Sequence, residues 1–130
     1  MCLEIIVQIS PDAKQRVSAR RLSRETGLHV SKVTFENEPA LHFSVSGGCS
    51  CEFLPQEYDL ESPSWNLDPG HLQSLSRAVA ILASEAGKFS FLVHFLGAER
   101  QRTHQTLGKA EFLRILETNQ IGNNVLYQIE

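Results

Sequence analysis

Apolar and polar positions alternate without a break through residues 41–53, and this stretch organises the rest of the chain. Leu41, Phe43, Val45, Gly47, Cys49, Cys51 and Phe53 fall on odd positions; His42, Ser44, Ser46, Gly48, Ser50 and Glu52 fall on even ones. Strand side chains alternate between faces with period two, so the pattern predicts one long strand over 41–54, bent at Gly47-Gly48. A two-residue hairpin at the glycine pair is the alternative. It would put His42, Ser44 and Ser46 on one face with Cys49, Cys51 and Phe53, and leave the other face mixed. The continuous strand keeps one face apolar and is preferred.

Elsewhere the period changes. Residues 2–9 (CLEIIVQI) are a β-branched run ended by Ser10-Pro11, predicting a first strand covered on both faces near its middle. Ser10 as cap, Pro11 and Asp12 predict a helix over 11–26 stopped by Gly27, with Ala19 and Leu22 inward and Lys14, Arg16, Arg20, Arg21 and Arg24 mostly outward. Val30, Val33, Thr34 and Phe35 mark a strand over 28–36, joined to the long strand as a hairpin through Asn37, Glu38 and Pro39. Residues 55–68 are irregular, and a connection this long is often functional. Asp68 and Pro69 open the main core helix, which carries Leu72, Leu75, Val79 and Leu82 as its stripe and stops at Gly87. Residues 89–96 (FSFLVHFL) read as a covered strand, 97–106 as a loop or edge hairpin, 109–118 as a helix and 125–129 as a last strand.

This order predicts an α+β fold: a split βαβ (ferredoxin-like) two-layer sandwich with a C-terminal helix-strand extension, in a single domain over 1–130. The first strand and the long strand are expected to be parallel central neighbours, which places Cys2 far from Cys49 and Cys51.

Composition narrows the classes. The chain is 42% hydrophobic and 21% charged, which excludes the disordered class, and 130 residues can bury a sizeable core. No apolar run reaches the length of a membrane span, and the start of the chain lacks a secretory pattern, so a cytoplasmic protein is expected. Three cysteines, an odd number, fit reduced thiols. A net charge of -3 gives no general attraction to nucleic acid or an anionic membrane.

Candidate chemistry is sparse. Cys49-x-Cys51 reads either as a metal or redox thiol pair, with His42 or His94 as added ligands, or as small apolar side chains filling a core face, which is preferred. Glu57, Asp59, Glu61 and Asp68 are spaced like oxygen ligands for a hard cation. The preferred reading is a solvated loop with Trp65 tucked onto the core and Asp68 as a helix cap. His71, beside that loop, and Cys51 form a conceivable base and nucleophile pair. LSRETGLHVSKV, residues 22–33, resembles a fragment of the bacterial helix-turn-helix, with Gly27 in the turn and Val33 on the second helix. The resemblance implies DNA binding through the segment after the turn, with phosphate contacts from Arg20, Arg21 and Arg24. The β-branched residues of that segment read instead as a strand.

The expectation is therefore a binding or protein-interaction module without catalysis, acting through Arg16, Arg20, Arg24 and Trp65. Its partner is a protein or small molecule, or a second copy in a homodimer, and no cofactor is expected. The alternatives are a thiol enzyme or metal protein using Cys49, Cys51 and His71, and a helix-turn-helix-like DNA binder.

Overall fold

A computed structural model describes residues 3–10, 17–55, 66–95 and 102–130. The elements in chain order are β1 (Leu3–Ile9), α1 (Ala19–Thr26), β2 (His29–Phe35), β3 (Glu38–Ser44), a 3₁₀ turn (Ser50–Phe53), α2 (Pro69–Glu85), β4 (Phe89–Phe95), β5 (Thr103–Leu107), α3 (Lys109–Glu117) and β6 (Val125–Ile129). The strands join one mixed sheet in the order β2-β3-β1-β4-β6-β5. Only the β5-β6 pair among them is parallel.

Register divides the sheet into two unlike faces. Ile5 lies opposite Phe43 and Val93, Val7 opposite Leu41 and Phe91, and Phe91 opposite Tyr127. These side chains form one core with Leu22 of α1, Leu75 and Leu82 of α2, and Phe112 and Leu116 of α3, so the helices cover this face. Phe112 is fully buried and meets the rings of Phe89, Phe91 and Tyr127 at centroid separations of 6.3, 5.1 and 5.3 Å. The opposite face carries Glu4, Ile6 and Gln8 of β1, paired with His94, Leu92 and Ser90 of β4. On its other side Ile6 lies opposite His42 of β3. Ile6 and Leu92 are buried but stand outside the main core.

Local chemistry explains the helix ends. Asp68 accepts a hydrogen bond from the His71 amide to open α2, with Pro69 as its first residue, and Gly87 leaves at a φ of 72°. α1 is shorter than the 11–26 span expected. Ser18 is extended and its hydroxyl accepts the Arg21 N–H, so the cap is Ser18 and not Ser10. Residues 11–16 lie outside the described residues. Arg21 joins α1 to α2 by a paired contact with Glu85, in which Nη2 donates to Oε1 at 2.9 Å. Asn119, at a φ of 60°, holds the segment before α2 as a backbone would: Oδ1 accepts from the Leu67 amide at 2.7 Å and Nδ2 donates to its carbonyl at 2.9 Å.

Three expectations are corrected. The long strand over 41–54 does not form, and neither does a hairpin with Cys51 in its second strand. β3 ends at Ser44, whose hydroxyl accepts the Gly47 amide at 3.1 Å, and Gly47 turns the chain at a φ of 99°. The alternating residues beyond the glycines then wind into the 3₁₀ turn. β1 and β3 are neighbours but antiparallel, so the beginning of β1 lies against that turn and not far from it: the Leu3 N–H donates to Cys51 Sγ at 3.2 Å. Cys2 lies outside the described residues. Finally, the segment after Gly27 is strand β2, as its β-branched residues indicate, so the second helix implied by the helix-turn-helix resemblance is not formed.

Candidate functional site

The open end of the β1-β3 ladder concentrates the polar chemistry. Ile5 and Phe43 are register partners, yet the hydroxyl of Ser50 stands between them. The Ile5 N–H donates to Ser50 Oγ at 3.0 Å, and the hydroxyl donates in turn to the Phe43 carbonyl. Ser50 is fully buried and closes the ladder where the two backbones have parted. Cys51 extends the same arrangement by one residue through its sulfur.

His42 Nε2 pairs with the Glu4 carboxylate and also lies 3.4 Å from Ser50 Oγ. A serine, a histidine and an acid in contact invite a hydrolytic reading, but the connectivity is wrong for it. A Ser-His-acid relay places the serine on one ring nitrogen and the acid on the other. Here both face Nε2. A nitrogen that donates its proton to Glu4 has no lone pair left to take one from Ser50, whose own proton already goes to the Phe43 carbonyl. The group ties β1, β3 and the 3₁₀ turn together.

The thiol candidates sit in the same corner. Cys49 and Cys51 are both half-buried, and Cys51 packs against the main core. His71 stands edge-on to Phe53, with centroids 6.0 Å apart, and its Nε2 lies 4.0 Å from Asp68 Oδ2. Arg20 and Arg24 are exposed on α1. Arg16, Trp65, Glu57, Asp59 and Glu61 lie outside the described residues. Among the described residues, no group of three or more histidine, cysteine, aspartate or glutamate side chains is arranged to hold a metal ion. No helix among them is long and apolar enough to cross a membrane.

A second place has the form of a ligand seat. Among the described residues, the end of β1, the start of α1 at Ala19 and the β2-β3 hairpin border one another without filling the space between them. A crevice of about 140 Å³, open to solvent, results. Ile9, Val17, Ala19, Pro39 and Leu41 give it apolar walls, and Ser18 and Lys32 stand at its polar side. Lys32 and Arg20 also border an adjoining open hollow at the start of α1. Lys32 is exposed and forms no ion pair with the described residues. The first-turn amides of a helix carry partial positive charge, so this rim favours an anion.

Sequence reasoning missed both Ser50 and Lys32 as positions of interest. A signal for the first was present: Glu4 is the one charged residue in a β-branched run, and a charge in a covered strand requires a partner. Nothing in the local sequence marks Lys32, because the crevice depends on where α1 starts.

No protein-family model, curated protein or solved structure matches the chain.

Proposed function

We propose that the protein is a binding module without catalysis, and that it takes a small ligand with an apolar body and an anionic end in the crevice between α1 and the β2-β3 hairpin. The carrying observation is the crevice itself, whose apolar walls end at Lys32 and at the start of a helix. The engagement of Ser50, His42 and Cys51 in holding β1 to β3 favours a structural use for those groups over the thiol-enzyme reading.

The order β2-β3-β1-β4, with α1 and α2 on one face, supports a ferredoxin-like split βαβ extended by β5, α3 and β6. Such folds host many functions, so the functional reading rests on the crevice alone.

Decanoate and decanol, titrated separately and followed by amide chemical shifts, provide the test. Decanoate is expected to perturb Lys32, Val33, Ala40 and Leu41, with decanol weaker by about tenfold. Lys32→Glu should abolish the preference, and Pro39→Trp, on the same face of β3 as Leu41, should block both ligands. Absence of shifts at these positions, or an equal response to the two ligands, would overturn the reading.

A further inference from the structure

The face of the sheet opposite the helices is covered by the chain itself. The β2-β3 hairpin turns through Glu36 and Asn37, both with positive φ (50° and 66°), and its tip folds across β1 and β4. Three contacts hold it there. Gln8 Nε2 donates to the Phe35 carbonyl at 3.3 Å. The Phe35 ring stands edge-on to His94, with centroids 5.7 Å apart and planes at 71°. The Glu36 carboxylate pairs with Arg102, whose guanidinium carbon lies 5.3 Å from the centre of the Phe35 ring. In the β1-β4 register, Ile6 and Leu92 fall between the first two contacts, Gln8 with Ser90 on one side and Glu4 with His94 on the other.

We propose that this tip is an acid-released latch: protonation of His94 frees Phe35 and Glu36 from the sheet and uncovers the Ile6-Leu92 strip. The geometry sets a cation beside the imidazole before any proton arrives, since Arg102 touches the ring that touches His94. The other charged groups facing His94 among the described residues are Glu4, its cross-strand partner on β1, and Glu36 in the hairpin turn. Both would favour an imidazolium, but Glu4 is engaged by His42 on β3 and Glu36 by Arg102. Burial first, and Arg102 second, hold His94 below the ordinary histidine range.

A second proton-bearing cation in this half-buried corner is relieved by moving outward. The latch is also loosely held. Arg102 Nε is buried with no hydrogen-bond partner among the described residues, an unmet donor that opening would return to water. β2 is an edge strand with exposed positions at His29, Lys32 and Thr34 along its length, the kind of segment that opens locally while the core stays closed. This proposal does not depend on the crevice, whose walls lie toward α1.

The test follows the Phe35-His94 ring proximity and the His94 Cε1 resonance by NMR from pH 8 to pH 5. Separation of the two rings is expected with the same midpoint as His94 titration, together with at least tenfold faster exchange of the Phe35 to Glu38 amides. The packing of Phe112 on Phe91 and Tyr127 should remain unchanged. Phe35→Ala, which removes the latch at every pH, should bring the His94 midpoint up toward about 6.5. His94→Gln should keep the hairpin amides slow at pH 5. Rings that stay together after His94 is protonated, a Phe112 cluster that comes apart at the same pH, or a His94 midpoint unmoved in Phe35→Ala would each overturn the latch.

Discussion

The two faces of the sheet reach burial by different routes. Toward the helices, β1, β3, β4 and β6 present Ile5, Val7, Phe43, Phe91 and Tyr127, and three helices supply matching apolar side chains. On the other side the same strands present Glu4, His42, Ser44, Ser90 and His94 around three buried aliphatic residues among those described, Ile6, Ala40 and Leu92. Apolar contact needs no direction and tolerates small shifts. Polar burial needs a partner for each group, so that face is held by a few specific pairs. The first face should therefore carry most of the stability, and the second should carry the response to conditions.

Phe112→Ala tests the first half of that comparison and has the largest expected effect. It removes a fully buried ring packed on three others, which costs about 3–5 kcal/mol by the usual scale for such truncations. Urea unfolding is expected to show this loss with an unchanged slope. A cost below about 1 kcal/mol, small against that scale, would mean that the helix-covered face is not the main source of stability.

Ser50→Ala comes next, at about 1–3 kcal/mol for each buried group left without a partner, here the Ile5 amide and the Phe43 carbonyl. Protection of the Ile5 amide from exchange should fall more than that of the β1-β4 amides. Uniform loss across both ladders would show that Ser50 does not close the β1-β3 end specifically.

Much of the fold could be read from the sequence, and the exceptions share a cause. β4 and α2 were legible because hydrophobic period, cap and stop signals agree over Phe89–Phe95 and Pro69–Glu85. The stretch beyond Ser44 was misread because alternation alone cannot distinguish a strand from a glycine turn followed by a 3₁₀ turn. The hydrogen bonds that decide the matter come from Ser44 and Ser50 to partners selected by the fold. The direction of β1 relative to β3 likewise depends on the crossover through α1 and β2. As for the candidate sites, Cys49 and Cys51 were identified as a place of interest, but the residue that closes the ladder is the serine between them. The latch was not legible at all: Phe35, His94 and Arg102 are distant in the chain, and only curling of the hairpin brings them together.

The smallest effect separates the faces by pH. Tyr127 lies under the helices, where burial pushes its phenol above the ordinary tyrosine value, partly offset by the Gly122 N–H that donates to its oxygen at 2.7 Å. Above about pH 10 the unfolded chain gives up this proton first, so the folded state holds more protons and stability falls as pH rises. His94, on the latch face, has the opposite sign. Its folded midpoint is lowered, so as pH falls through about 6.5 the unfolded chain binds the proton first and stability declines. Tyr127→Phe should cost about 1 kcal/mol at neutral pH, the usual net value of one hydrogen bond, and flatten the alkaline limb alone. His94→Gln should flatten the acid limb alone, and the double variant should do both additively, since the two side chains lie on opposite faces. Stability measured from pH 5 to pH 10.5 in the four proteins checks this. A Tyr127→Phe variant that also changes the acid limb would show that the faces are coupled and that the latch does not open independently of the core.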